Sequence, residues 1–162
     1  MSYTGKFGEE PYYPMVGFFF TLSFSKIPDK TVDAKFKEVS GIEMTLNTTT
    51  IPEGGENGSQ WEVPDRTKFS DLVLKRGVLS SQSKLTQWCY SWLLNDYSKP
   101  LERKDVYLKL LNEKGTAIMV WQFENAFPYK LNLGGFNSMA TGEAAIVIET
   151  ITLKYQNIKI LK

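Results

Sequence analysis

Phe18, Phe20, Leu22 and Phe24 occupy alternate positions, with Thr21 and Ser23 between them. A period of two predicts a strand buried on one face. After the turn segment KIPDKTVD, a second strand is expected from about Ala34 to Leu46. Its apolar positions, Phe36, Val39, Ile42, Met44 and Leu46, change phase around Ser40 and Gly41, and a glycine inside a strand pattern marks a bulge. The stretch NTTTIPEGGENGS, Asn47 to Ser59, is too polar for a core and too long for a tight turn. Trp61 and Val63 suit a short returning strand, which makes Leu46 to Val63 an extended hairpin arm. Leu72 to Arg76 reads as a short strand ending at Gly77.

Helical periodicity occurs over Ser83 to Asn95, where Leu85, Trp88, Cys89, Trp92 and Leu93 form one apolar stripe. Ser81 or Ser83 can cap it, and Pro100 stands beyond its end. Val106 to Leu111, the turn NEKG and Ala117 to Phe123 make a hairpin. Phe127 and Pro128 are expected to break it before Tyr129 to Leu133 resumes. The run Glu143 to Gln156 is rich in β-branched residues and reads as one long strand, ~40 Å at about 3.3 Å per residue. Its pattern changes face midway. Ile146 and Ile148 lie on one side and Ile151, Leu153 and Tyr155 on the other, with Glu149 and Thr150 at the switch.

Residues 1–14, with Gly5, Gly8, Pro11 and Pro14 among Tyr3, Phe7, Tyr12 and Tyr13, read as an irregular arm that docks on its own domain or a neighbour. The whole, residues 1–162, is expected to be one mostly-β domain, a barrel or sandwich, with a single helix at about residues 83–95.

Composition narrows the function classes. The hydrophobic fraction of 42% is that of a globular chain, and the net charge of +1 offers no basic stripe for nucleic acid or a membrane surface. A lone cysteine, Cys89, excludes an internal disulfide, and the N-terminus lacks the apolar region of a signal peptide. The longest apolar run, Met15 to Phe20, is far too short for a bilayer. A cytoplasmic product is the expectation. The Asn-x-Ser/Thr matches at Asn47 and Asn57 read as chance.

Catalysis finds little to work with. There is no histidine, the residue most often recruited for general-base work at neutral pH and for zinc or iron. Cys89 lies on the helix stripe and reads as a core thiol. The carboxylate pairs Glu9–Glu10 and Glu53–Glu56 sit in Gly- and Pro-rich segments without apolar surroundings to raise a pKa. PEGGENG lacks the Gly-Lys-Ser/Thr of a phosphate loop. No cofactor, metal ligand set or enzymatic activity is expected. Trp88, Trp92 and Trp121 read as core, and Trp61 as an interface candidate.

Several stretches in order carry a resemblance: YYPMVGFFFTLSF, FKEVSGIEMTL, IPEGGENG, RTKFSDLVLKRGVL, Leu-x-x-Trp-Cys on the helix, VYLKLLNEKG, AIMVWQFENAFPYKL and FNSMATGEAAIVIETITLKYQ. Over about residues 12–157 the chain resembles the tail tube family of contractile-tailed phages and phage-like contractile injection systems. That family is kin in fold to the haemolysin-coregulated tube protein of type VI secretion. The resemblance implies a β-barrel-like sandwich with one helix. It implies homohexameric rings stacked into a hollow tube for cargo effector or DNA, inside a sheath protein and joined to baseplate and spike proteins, without membrane insertion. Two alternatives stay open: a tube-initiating paralogue at the baseplate, and a monomeric β-barrel that binds a small apolar ligand.

On that reading the polar arm reaches a neighbouring subunit or ring. Thr50, Pro52, Glu53, Gly54, Gly55, Glu56, Asn57 and Trp61 form the reaching segment, and Arg66, Lys68, Lys75 and Arg76 are cations that meet its acids across the contact. In the last strand Thr150, Thr152 and Lys154 are expected to face an aqueous lumen, while Ile151, Leu153 and Tyr155 face the core.

Overall fold

The structure, a computed structural model, describes residues 20–27, 36–52, 55, 60–78, 83–94, 98 and 100–162. The expected arm at residues 1–14 and the tip residues Glu53, Gly54, Glu56 and Asn57 lie outside them. Strands run β1 (Phe20–Phe24), β2 (Glu38–Ser40), β3 (Met44–Pro52), β4 (Gln60–Phe69) and β5 (Leu72–Gly77), then the helix α1 (Lys84–Leu93). They continue with β6 (Lys104–Leu111), β7 (Ala117–Leu133), β8 (Ile148–Lys154) and β9 (Asn157–Ile160), with a 3-10 turn at Gly142–Ala145 before β8.

The main sheet is antiparallel, in the order β1-β6-β7-β8-β5-β2, and β9 also pairs with β7. It is open, with β1 and β2 at its ends, so the barrel half of the expectation gives way to a bent, sandwich-like sheet. The bend lies within β7. Residues Ala117–Phe123 pair with β6, which is met again at Ala126 after a register shift, and Trp121–Glu124 pair with β9, whereas Phe127–Leu133 pair with β8. Between these segments Asn125 adopts a φ of 53°, a left-handed conformation that asparagine tolerates better than most residues. Its N–H donates to Asp105 Oδ1 at 3.0 Å and its Nδ2 to Gln156 Oε1 at 2.8 Å. The expected break at Phe127 and Pro128 is therefore a bend in one continuous strand. Pro128 is accommodated because the β7–β8 register shifts between it and Lys130, where a missing N–H costs least.

The concave side holds the core: Leu22 and Phe24 of β1, Leu72 and Leu74 of β5, Val106 and Leu108 of β6, Phe123 and Ala126 of β7, and Ile151 and Leu153 of β8. α1 closes it with Leu85, Trp88 and Cys89, the stripe expected from the sequence. Ser83 caps the helix, accepting from the Thr86 N–H at 3.1 Å. The Trp88 and Trp92 indole N–H groups both donate to the Glu102 carbonyl, and Trp92 stacks on Phe127. Beside the bend, these contacts tie the helix to the chain entering β6.

The second expected strand is two strands. Gly41 separates β2 from β3 with a φ of 82°, and a Cβ there would lie 2.0 Å from the Asp71 carbonyl oxygen. Only glycine fits so close a backbone approach.

The last strand differs from expectation in a way that reveals a buried charge. It begins at Ile148, after the 3-10 turn, and alternates without a change of face. Glu149, Ile151 and Leu153 point inward, and Ile148, Thr150, Thr152 and Lys154 outward. The supposed switch arose because position 149 is a core position filled by an acid. Its partner is Arg76, directly opposite on β5, whose Nε lies 2.7 Å from Glu149 Oε2. Arg76 Nη2 also donates to Ser83 Oγ at 3.0 Å and Thr86 Oγ1 at 2.7 Å, and the guanidinium lies over the Phe36 ring. The pair welds the helix N-terminus to β5 and β8.

Candidate functional site

β3 and β4 form a two-stranded sheet of their own, separate from the main one. Every residue of β4 from Gln60 to Lys68 is exposed, and so are the described β3 side chains. The expected hairpin arm is present and longer than anticipated, because the returning strand starts at Gln60 and runs to Phe69. Its root is held by Ser70, whose hydroxyl donates to the Gly41 carbonyl at 2.8 Å, and by Phe69 against the Tyr155 ring. Tyr155 in turn packs edge-on against Phe123 of the core.

The arm register passes from Leu46↔Thr67 to Thr48↔Pro64, so β4 carries one extra residue opposite Asn47. Alternation on either side of this bulge sorts the side chains. One face holds Met44 and Leu46 near the root, then Thr48, Thr50, Pro64 and Glu62 outward. The other holds Thr45 and Lys68 near the root, then Thr49, Val63, Ile51 and Trp61 toward the tip. Apolar side chains are thus exposed on opposite faces at opposite ends. Trp61 is 62% and Met44 54% exposed. Gly55 occupies the turn at a φ of 117°.

Of the interface candidates, Thr50, Trp61, Arg66 and Lys68 stand exposed on the arm, and Pro52 pairs through its backbone with Gln60. Lys75 lies on β5 and binds Glu38 at 2.8 Å, away from the arm. Arg76 is 1% exposed, and its guanidinium is committed to Glu149 inside the protomer. It therefore drops out of the candidate interface.

Thr150, Thr152 and Lys154 share the outward face of the main sheet. Thr150 lies between Lys75 and Asn132, and Thr152 between Val73 and Lys130. Lys154 stands 3.7 Å from Asp71 and over the Tyr129 ring. The face is polar and cationic, and Lys130 and Asn132 belong to it through their pairing with Thr152 and Thr150. Leu94, Phe136 and Met139, which are 72%, 81% and 87% exposed, belong to no sequence pattern. Single apolar residues in irregular segments carry no periodicity to betray them.

Among the described residues no three His, Cys, Asp or Glu side chains gather as metal ligands, and no helix is long and apolar enough to cross a membrane. Cys89 is buried on the helix. Among the described residues one titration is perturbed. Burial, with the nearby Asp71 charge second, pushes the Tyr155 phenol above its usual pKa, and its hydroxyl is buried without a hydrogen-bond partner.

No curated protein sequence matches the chain. Solved structures do. A chain of the anti-feeding prophage baseplate, a 6-fold symmetrised cryo-EM structure, is 27% identical with a TM-score of 0.78, over 93% of this chain and 97% of that one. A chain of the sheath–tube complex of an extracellular contractile injection system, in its extended state, is 25% identical with a TM-score of 0.73, over 91% of both chains. A type six secretion system protein, 15% identical with a TM-score of 0.54 over 88% of this chain and 82% of its own, shares the fold. Residues 16–159 match the family described as T4-like virus tail tube protein gp19. With that match spanning nearly its whole length and carried on this bent sheet with its projecting arm, the chain belongs to the T4-like virus tail tube protein family.

Proposed function

We propose that this protein is the inner-tube subunit of a contractile injection system or phage tail, a structural protein that acts through assembly rather than catalysis. Homohexameric rings stack into a hollow conduit for cargo effector or DNA, surrounded by a sheath and joined to baseplate and spike proteins, after assembly in the cytoplasm. The observation that carries this reading is the β3–β4 arm. A lone two-stranded ribbon with exposed Met44, Leu46, Ile51, Val63 and Trp61 has no core of its own and gains one against another subunit. Thr50, Glu53 to Asn57 and Trp61 make that contact, with Arg66 and Lys68 beside them. The polar outward face with Thr150, Thr152 and Lys154 suits an aqueous channel wall, and the sheath–tube complex among the similar structures supports the same partners.

Negative-stain microscopy and light scattering of the purified protein test it. Rings and tubes are expected, and a species that stays monomeric at high concentration overturns it. The similar chain from a baseplate favours one second reading, a tube initiator of the same family. An initiator stops at single rings where a tube subunit polymerises.

A further inference from the structure

Between the end of β1, the helix α1 and the start of β6 lies a pocket of about 250 Å³. At about 30 Å³ per water it holds about eight, enough for a phosphate group with a small ester substituent. Among the described residues that line it, Lys26, Lys84 and Lys104 stand against one acid, Glu102.

Lys104 is the member that needs explaining. Its side chain is 10% exposed, yet its ammonium makes no hydrogen bond with the described residues. Nζ lies 3.7 Å from Glu102 Oε2, beyond hydrogen-bond reach, and 5.9 Å from the centroid of the Trp88 ring. An ammonium has three donors, and leaving them unmet in so enclosed a place is costly. Glu102 does not neutralise its surroundings. The same Oε2 atom accepts from Lys26 Nζ at 3.3 Å, so two ammonium groups share one carboxylate oxygen. Among the described residues neither lysine has another acid as partner.

The surrounding backbone fixes these groups. The Trp88 and Trp92 indoles donate to the Glu102 carbonyl at 2.8 and 3.1 Å. Lys26 has a φ of 63°, uncommon for a lysine, in a turn closed by the Ile27 N–H donating to the Phe24 carbonyl at 3.2 Å.

We infer that this pocket binds a phosphate dianion, free or as the end group of a small phosphomonoester, with Lys104 and Lys26 as its ligands. Lys84 and Gln87 line the helix wall beside it. The residue types select the anion. Lysine ammonium groups act as compact point charges, which suits a tetrahedral group with oxygens on every side. A planar carboxylate is matched best by the arginine fork, and no arginine is among the described residues lining the pocket. A phosphomonoester carries a charge of about −1.5 to −2 at neutral pH, which offsets both the Lys104 charge and the surplus beside Glu102. The site belongs to a single protomer and does not depend on the assembly reading.

Calorimetric titration of the full-length protein with sodium phosphate at pH 7, with ionic strength held constant by sodium chloride, tests it. One saturable site per chain is expected. Lys104→Met is expected to weaken binding about ten-fold or more, the scale of hydrogen bonds to a charged group, with an unchanged circular dichroism spectrum. Lys26→Met, at a side chain 64% exposed, is expected to weaken it by a smaller factor. Acetate is expected to bind about ten-fold more weakly than phosphate. Phenyl phosphate separates the sources: tighter binding than inorganic phosphate supports an organic ester, and equal or weaker binding supports the free ion. No saturable phosphate binding overturns the site. So does equal affinity in the wild type and Lys104→Met, which marks a general salt effect. Acetate bound as tightly as phosphate overturns the choice of anion. Should Lys104→Met not fold, Lys26→Met decides, and an unchanged phosphate affinity there overturns the site.

Discussion

Arg76 and Glu149 are 1% and 2% exposed, and neither is tolerable there without the other. Arg76→Met strands a buried carboxylate and is expected to destabilise the fold by about 3–5 kcal/mol, read from the denaturant midpoint. Arg76→Met/Glu149→Leu removes both charges and is expected to recover most of that loss, a coupling that a double-mutant cycle measures. Sequence patterning missed the pair for a physical reason. Hydrophobic alternation treats every charge as solvent-facing, so a buried acid at Glu149 looks like a turning point of its strand and Arg76 like an interface cation. Tyr155 shows a different residue-scale effect. Its phenol pKa is raised by burial and then by Asp71, so the folded state holds the proton to higher pH than the unfolded chain. That contribution to stability is present below the unfolded value of about 10 and is lost as pH rises through the folded value. Tyr155→Phe also removes a hydroxyl that lacks a partner. It is expected to be neutral or stabilising by up to about 1 kcal/mol at pH 7, and to flatten the loss of thermal stability above pH 10.

At the scale of elements, the helix was legible nearly to the residue, because a cap at Ser83 and a stripe of Leu85, Trp88 and Cys89 are local signals. The arm was legible as an arm, since the mostly polar, Gly-rich stretch Asn47 to Ser59 is too long for a tight turn; its returning strand was not, because β4, exposed from Gln60 to Lys68, has no buried face to set a period. Removing Glu53 to Asn57 is expected to leave the circular dichroism spectrum and the main-sheet stability intact, since the arm forms a sheet of its own. The same deletion is expected to abolish ring stacking in negative-stain images; normal tubes from the deleted protein would remove the arm from the assembly contact.

For the whole molecule, the mostly-β class with one helix was readable from periodicity, but closure was not. Whether a sheet shuts into a barrel depends on pairing between residues far apart in sequence, and here β7 bends at Asn125 instead of ending at Pro128. One strand of 17 residues therefore belongs to both halves of the sheet. The mechanical consequence is considerable. Tension or thrust directed along β7 is resisted as shear by the ladders to β6, β9 and β8, whose hydrogen bonds must fail together rather than unzip singly. Each segment of β7, on either side of the bend at Asn125, is accordingly stiffer along its own direction than across it, and the bend is where the two halves of the sheet can flex against each other.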